Sequence, residues 1–205
     1  MPAFKAPLRD IRFLMKEVLD FKTHYEGLSN GKDADPETVD AILEECGKFC
    51  EEVLSPLNES GDAEGCKFED GKVTTPKGFK DAYDQFCMGG WQGLSHPEEF
   101  GGQGLPMSLG LIKSELTGSA NWSFTMYPGL SLGAMNTIMQ YAPEPMRTLL
   151  MTKLTEGTWS GTMCLTEPQC GTDLGQVKTK AEPNGDGSFA VTGTKIFISA
   201  GEHDL

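Results

Sequence analysis

The hydrophobic period of this chain changes once, near residue 158, and that change restricts the folds open to it. Before it, apolar residues recur at spacings of three and four. After it, short alternating runs are separated by turn residues. Leu8, Ile11, Leu14, Met15, Val18 and Leu19 predict a helix over 7–22. Gly27, Ser29, Asn30, Gly31 and Asp33 make 23–35 a loop. Asp35-Pro36-Glu37 then reads as a helix start, with a capping carboxylate, a first-turn proline and an acid at the positive end. Its stripe runs through Val39, Ile42, Leu43, Cys46, Phe49, Cys50, Val53 and Leu54. Residues 58–76 are polar, and FEDGKVTTP suggests a short extended turn. Further helices are predicted over 76–89, 106–119, 122–141 and 144–156, with a glycine- and proline-rich connector at 91–106.

From 159 onward the readings are extended. WSGTMCLT and VKTKAEP are candidate strands, NGDG at 184–187 is a hairpin signal, and SFAVTGTKIFISAG continues the pattern. Helices first and antiparallel strands second imply an α+β fold. The expected division is a helical domain over 1–158 and the start of a β domain over 159–205. Three strands with one hairpin make a poor stand-alone sheet, so the sheet is expected to continue.

Composition narrows the function. The 205 residues carry a formal net charge of −13, which disfavours nucleic-acid binding through phosphate neutralisation. The six cysteines form no Cys-x-x-Cys pair, and Cys46 and Cys50 read as small core residues. The three histidines are far apart, so no metal site is expected. The N-terminal run MPAFKAPLRDIRFL has no apolar signal core, and no stretch of about 18 apolar residues occurs. A reducing cytoplasm without a membrane span is the expected setting.

The stretch CLTEPQCGTDLGQ, 164–176, puts a strand end, a proline stop and a glycine turn together. Gly171 permits close approach of a ligand, and amides with the Thr166 and Thr172 hydroxyls could bond a polar ring edge or a phosphate. The residues alone favour an ordinary strand connection over a ligand site. No Gly-Lys-Ser/Thr follows, and no helix follows, so neither a Walker loop nor a dinucleotide turn is present.

Thr166-Glu167-Pro168 followed by Gly171-Thr172-Asp173 resembles the signature of the acyl-CoA dehydrogenase family, with threonine for the usual serine. PEEFGGQGLP, SLGAM, VKTKAE and GTKIFISAG resemble further family segments in the right order, with Phe197 for a tryptophan and Ser199 for a threonine. The run GKVTTPKGFKDAYDQFCMGGWQGL and the run IFISAGEHDL look most like the branch of larger subunits. The resemblance implies the N-terminal helical domain and the opening strands of an antiparallel β-barrel domain. It implies FAD, with Met163, Leu165, Thr166, Gly171, Thr172, Phe197, Ile198 and Ser199 as cofactor contacts. It implies an acyl-CoA substrate, lined by Phe124, Thr125, Pro128 and Leu132, with Thr172 near the CoA. The intact parent would convert acyl-CoA to trans-2-enoyl-CoA, pass electrons to an electron-transfer flavoprotein and act as a homo-oligomer. Flavin oxidases and monooxygenases on the same scaffold, and a non-catalytic acyl-CoA-binding module, stay open. Glu167 is expected to be a structural carboxylate rather than a base. The family's catalytic glutamate has no counterpart here, so the chain is expected to be inactive alone.

Overall fold

The computed structural model describes residues 4–205. Eight α-helices are found among them: α1 Leu8–Phe13, α2 Phe21–Glu26, α3 Pro36–Phe49, α4 Ser55–Glu64, α5 Phe79–Met88, α6 Met107–Ala120, α7 Trp122–Tyr141 and α8 Glu144–Glu156. Two hairpins complete the order, β1 Lys67–Glu69 with β2 Lys72–Thr74, and β3 Lys180–Pro183 with β4 Phe189–Thr192.

The helix expected over 7–22 is broken. α1 widens into a π turn at Leu14–Val18 and stops at Asp20, whose φ is 43°. Asp20 then caps α2 by accepting from the Thr23 amide at 3.4 Å, so part of the expected 23–35 loop is helical. Nothing in the apolar spacing announces a left-handed aspartate.

α3 starts as expected. Asp35 Oδ1 accepts from the amides of Glu37 at 2.9 Å and Thr38 at 3.1 Å, with Pro36 in the first turn. The helix then runs on as far as Glu64, through a second π turn at Cys50–Leu54. That turn lies directly ahead of Pro56, whose ring would otherwise meet the carbonyl four residues back. Val39, Leu43, Cys46, Cys50 and Leu54 face inward along this rod.

α6 and α7 close the core over α3 and α5. Phe124 has no exposed surface and lies among Phe79, Tyr83 and Phe86, with ring centroids 5.9–6.5 Å away. Asn121 caps α7 by accepting from the Phe124 amide at 3.0 Å, and donates to the Leu54 carbonyl at 3.1 Å. It thereby ties the start of α7 to the rod. A smaller cluster of Phe100, Met135, Met151 and Leu154 joins α7, α8 and the 91–106 connector.

The β1–β2 turn is Asp70-Gly71, both with positive φ, as a two-residue hairpin of right-handed strand twist requires. β3 and β4 pair antiparallel in the register Lys180↔Thr192 to Pro183↔Phe189, around the expected 184–187 turn. The strands expected at 159–166 and 193–201 are not formed. Residues 159–166 run extended, joined to the later segment by isolated bonds rather than a ladder: Ile196 N to Thr166 O at 2.9 Å, Thr162 Oγ1 to Ser199 O at 2.6 Å and Lys195 Nζ to Leu165 O at 2.9 Å. Phe197 and Ala200 have φ of 57° and 50°, which no ladder accommodates. No closed barrel forms among the described residues.

Candidate functional site

The 164–175 stretch forms a tight bend that a single carboxylate organises. Glu167 and Cys170 exchange backbone hydrogen bonds of 2.8 and 3.1 Å across Pro168 and Gln169. The Glu167 side chain, only 3 % exposed, turns inward. Its Oε1 accepts from Lys195 Nζ at 2.8 Å and the Thr179 amide at 2.9 Å. Its Oε2 accepts from the Lys178 amide at 2.8 Å and Gln169 Nε2 at 2.6 Å. The Lys195 ammonium above all, followed by the neighbouring donors, holds this carboxyl far below the usual range. A carboxylate so engaged is a fastener, as the sequence suggested.

Lys195 does a second job. Its ammonium also donates to the Leu165 carbonyl at 2.9 Å, so one side chain grips both sides of the residue pair 165–167. The sequence reading gave Lys195 no role. A signal was present, since a lone lysine amid glycine and apolar residues is a natural partner for a buried acid.

Two glycines allow the close approaches. A Cβ on Gly193 would lie 2.0 Å from Thr179 Oγ1, and one on Gly161 would lie 2.5 Å from the Ala134 Cβ. Gly161 also donates to Ser131 Oγ at 3.0 Å, which seats the extended segment on α7. Gly171, in contrast, has no positive φ and has room for a Cβ at 3.5 Å from Thr166 Cγ2.

The expected cofactor residues fall on two facing segments. Met163, Leu165 and Thr166 lie on the extended one, and Phe197, Ile198 and Ser199 follow Lys195 on the other. Met163, Leu165 and Phe197 are exposed, the last at 86 %. Among the described residues, neither the Leu165 nor the Thr166 amide donates to another protein group. Gly171 and Thr172 are exposed on the bend just beyond Cys170, and Asp173 caps the short turn at Leu174–Gln176. The α7 residues form a separate set. Phe124 and Pro128 are buried, the Pro128 carbonyl accepting from Gln92 at 3.2 Å, while Thr125 and Leu132 are half-buried. No group of three or more His, Cys, Asp or Glu side chains is arranged to hold a metal among the described residues. No helix of the described residues is long and apolar enough to cross a membrane.

The sequence and the fold have counterparts of known class. Residues 36–158 match the sequence profile of the acyl-CoA dehydrogenase N-terminal domain. The chain belongs to the acyl-CoA dehydrogenase family. Over 202 residues it is 44% identical to 3-methylmercaptopropionyl-CoA dehydrogenase of Ruegeria pomeroyi, covering 98% of this chain and 34% of that protein. Over 211 residues the chain is 34% identical to a butyryl-CoA dehydrogenase of Syntrophomonas wolfei, covering 97% of this chain and 33% of that one. The solved structure of butyryl-CoA dehydrogenase from Megasphaera elsdenii matches with a TM-score of 0.66 at 25% identity, over 80% of this chain and 41% of that chain. The chain spans about a third of the length of the curated relatives it matches.

Proposed function

We propose that this chain is the N-terminal portion of an FAD-dependent acyl-CoA dehydrogenase, with a helical unit over 1–158 and the opening of a β unit over 159–205. One observation carries the reading. The unpaired amides of Leu165 and Thr166 stand beside the exposed side chains of Met163, Leu165 and Phe197, on a bend pinned by Glu167 and Lys195. A flat apolar ring with a polar edge suits such a surface, because the side chains cover the ring while the amides meet the edge. The left-handed backbone at Phe197 also fits a ligand site, where strained conformations concentrate.

When bound, FAD would accept the hydride lost from the β-carbon of the acyl thioester. The chain's own residues bind and orient. Met163, Leu165 and Thr166 hold one side, Phe197, Ile198 and Ser199 the other, and Gly171 and Thr172 meet the phosphate-bearing part of cofactor or substrate. On α7, Thr125 and Leu132 offer surface to the acyl chain, with Phe124 and Pro128 behind them. Glu167 is not the base that removes the α-proton, since four donors already engage its oxygens. The parent would be a cytoplasmic homo-oligomer, reoxidised by an electron-transfer flavoprotein.

Anaerobic titration of the purified full-length protein with acyl-CoA thioesters tests the reading. A yellow protein whose flavin absorbance bleaches on titration supports it, and a colourless protein that binds no FAD overturns it. The 205-residue chain alone is expected to reduce no dye with the same thioesters.

A further inference from the structure

Two segments, 160–166 and 195–203, face each other in antiparallel order without a ladder, and their bonds are spread from end to end. At one end Lys195 Nζ donates to the Leu165 carbonyl and the Ile196 amide to the Thr166 carbonyl, both at 2.9 Å. In the middle Thr162 Oγ1 donates to the Ser199 carbonyl at 2.6 Å. At the other end His203 Nε2 and Ser160 Oγ lie 3.0 Å apart. Phe197 and Ala200, with φ of 57° and 50°, fall between the two ends. Left-handed residues other than glycine persist only where the surrounding structure holds them. Lys195 holds one end of this stretch, and His203 holds the other.

The hydrogen bonds place the proton on His203. Its Nδ1 accepts from the Leu205 amide at 3.2 Å, so the neutral ring carries its hydrogen on Nε2. Nε2 therefore donates to Ser160 Oγ. A ring bonded in this way does not take the Ser160 proton, so the pair is a tie and not a nucleophile with its base.

The tie is anchored in the helical unit. The imidazole meets the Tyr127 ring of α7 edge to face, with centroids 5.1 Å apart and planes at 78°. Tyr127 lies beside Thr125 and Pro128, on the helix expected to line the acyl pocket. Next along the chain, Asp204 Oδ1 accepts from the Thr75 amide at 2.9 Å and the Thr75 hydroxyl at 2.7 Å. The Asp204 carbonyl accepts from Lys80 Nζ of α5 at 2.6 Å, and Leu205 packs on the main core cluster. His203 thus sits where the 160–166 and 195–203 segments, α7 and the start of α5 come together.

We propose that His203 is a positioning residue for the flavin site, its neutral ring holding the Phe197–Ser199 wall against 163–166 and against α7. This role rests on the reading of the bend as a flavin site, and His203 itself touches neither cofactor nor substrate. Protonation would put a hydrogen on Nδ1, facing the Leu205 N–H, and the tie would open. Burial favours the neutral ring, and Asp204 and Glu202 favour the charged one. Tyr127, with Cys66 Sγ 3.7 Å from its hydroxyl, and Lys80, on the Asp204 carbonyl, face the same spot. Burial prevails, so the pKa lies below 6.5 and the tie opens as pH falls below that value.

Release of FAD on dilution of the full-length protein, followed by flavin fluorescence at pH 8 and pH 5.5, tests the role. Wild type should release FAD faster at pH 5.5. At pH 8, Ser160→Ala and His203→Phe should each release it about fivefold faster than wild type, the worth of one hydrogen bond, and the double variant no faster than either. His203→Gln keeps a donor for Ser160 and does not titrate. It should stay within about twofold of wild type at pH 8 and lose the acid step. His24 and His96 are intact in every variant, so a step that vanishes belongs to His203. If His203→Phe fails to fold, Ser160→Ala, at an exposed position, decides. Unchanged release in Ser160→Ala, or an acid step that survives in His203→Gln, overturns the role while the protein stays yellow. A colourless wild-type protein overturns the flavin reading and this role with it.

Discussion

At the scale of single residues, the bend depends on Glu167 and Lys195. Glu167→Gln keeps the shape but removes the charge that draws in Lys195 and the Lys178 and Thr179 amides. The expected result is a full-length protein with weaker FAD retention and a lower melting temperature, measured by flavin fluorescence on dilution and by thermal melting. Acid should act on the wild type in the same sense. The Glu167 carboxyl sits below its ordinary value of 4.5 in the folded chain. Its contribution is therefore complete above that value and is lost as pH falls below it. His96 works at milder pH. Its ring nitrogens are buried without partners, and burial first, then the nearby charge of Lys113, pushes its pKa below 6.5. The unfolded chain takes up the proton that the folded chain refuses, so stability should fall as pH drops below that ordinary value. Urea midpoints at pH 8 and pH 5.5 should differ less for His96→Phe than for wild type. His203, also pushed down by burial, leaves a residual slope.

At the scale of elements, hydrophobic spacing located the helices well and located the backbone irregularities badly. α7 and α8 occupy the expected 122–141 and 144–156, because long amphipathic or apolar runs with a proline or asparagine start leave little choice. The break at Asp20 and the π turn before Pro56 left no trace in the apolar period, since one is a left-handed aspartate that caps the next helix and the other relieves a proline ring of the carbonyl four residues back. Residues 159–166 and 193–201 have the composition of strands, but a strand exists only through a ladder. Here the two segments share only isolated bonds, and Phe197 and Ala200 are left-handed. Of the candidate site, the bend was legible from its proline and glycine placement, whereas the Leu165 and Thr166 amides were pointed to only by the family resemblance. The Lys195 grip was missed: the lysine stood out among its neighbours, but its partner lies 28 residues away and no local pattern named it. The Asn121 bridge was equally hidden, and it supplies the test at this scale. Asn121→Ala removes a helix cap and leaves the buried Leu54 carbonyl without that donor. The combined loss should be about 2–4 kcal/mol in urea unfolding.

At the scale of the whole chain, the two periods seen in the sequence become two levels of protection. The main cluster draws its buried residues from positions 11–124, and the smaller cluster adds residues as far as Leu154. Beyond that point, full burial among apolar side chains is confined to Cys170, with Leu205 half-buried against the main cluster, while Phe189 and Val191 of β4 are 60 % and 70 % exposed. Every position of β3 and β4 faces solvent, and a two-stranded hairpin exposed on both faces has marginal stability of its own. The bend at 164–170 is intermediate, because the Glu167 bonds attach it to 178–179 and 195 and Gly161 attaches it to α7. Hydrogen exchange on the 205-residue chain should therefore grade along the sequence. Amides of α3 and α5 to α7 should exchange only through global unfolding. The amides of Lys178 and Thr179, which Glu167 accepts, should be protected to an intermediate degree, and those of β4 should exchange within the shortest labelling time. In Glu167→Gln the middle class should merge with the fast one while the helices keep their protection. If β4 instead exchanged as slowly as α6, the 159–205 segment would be a folded unit in its own right, and the bend at 164–170 would not need further sheet to hold its shape.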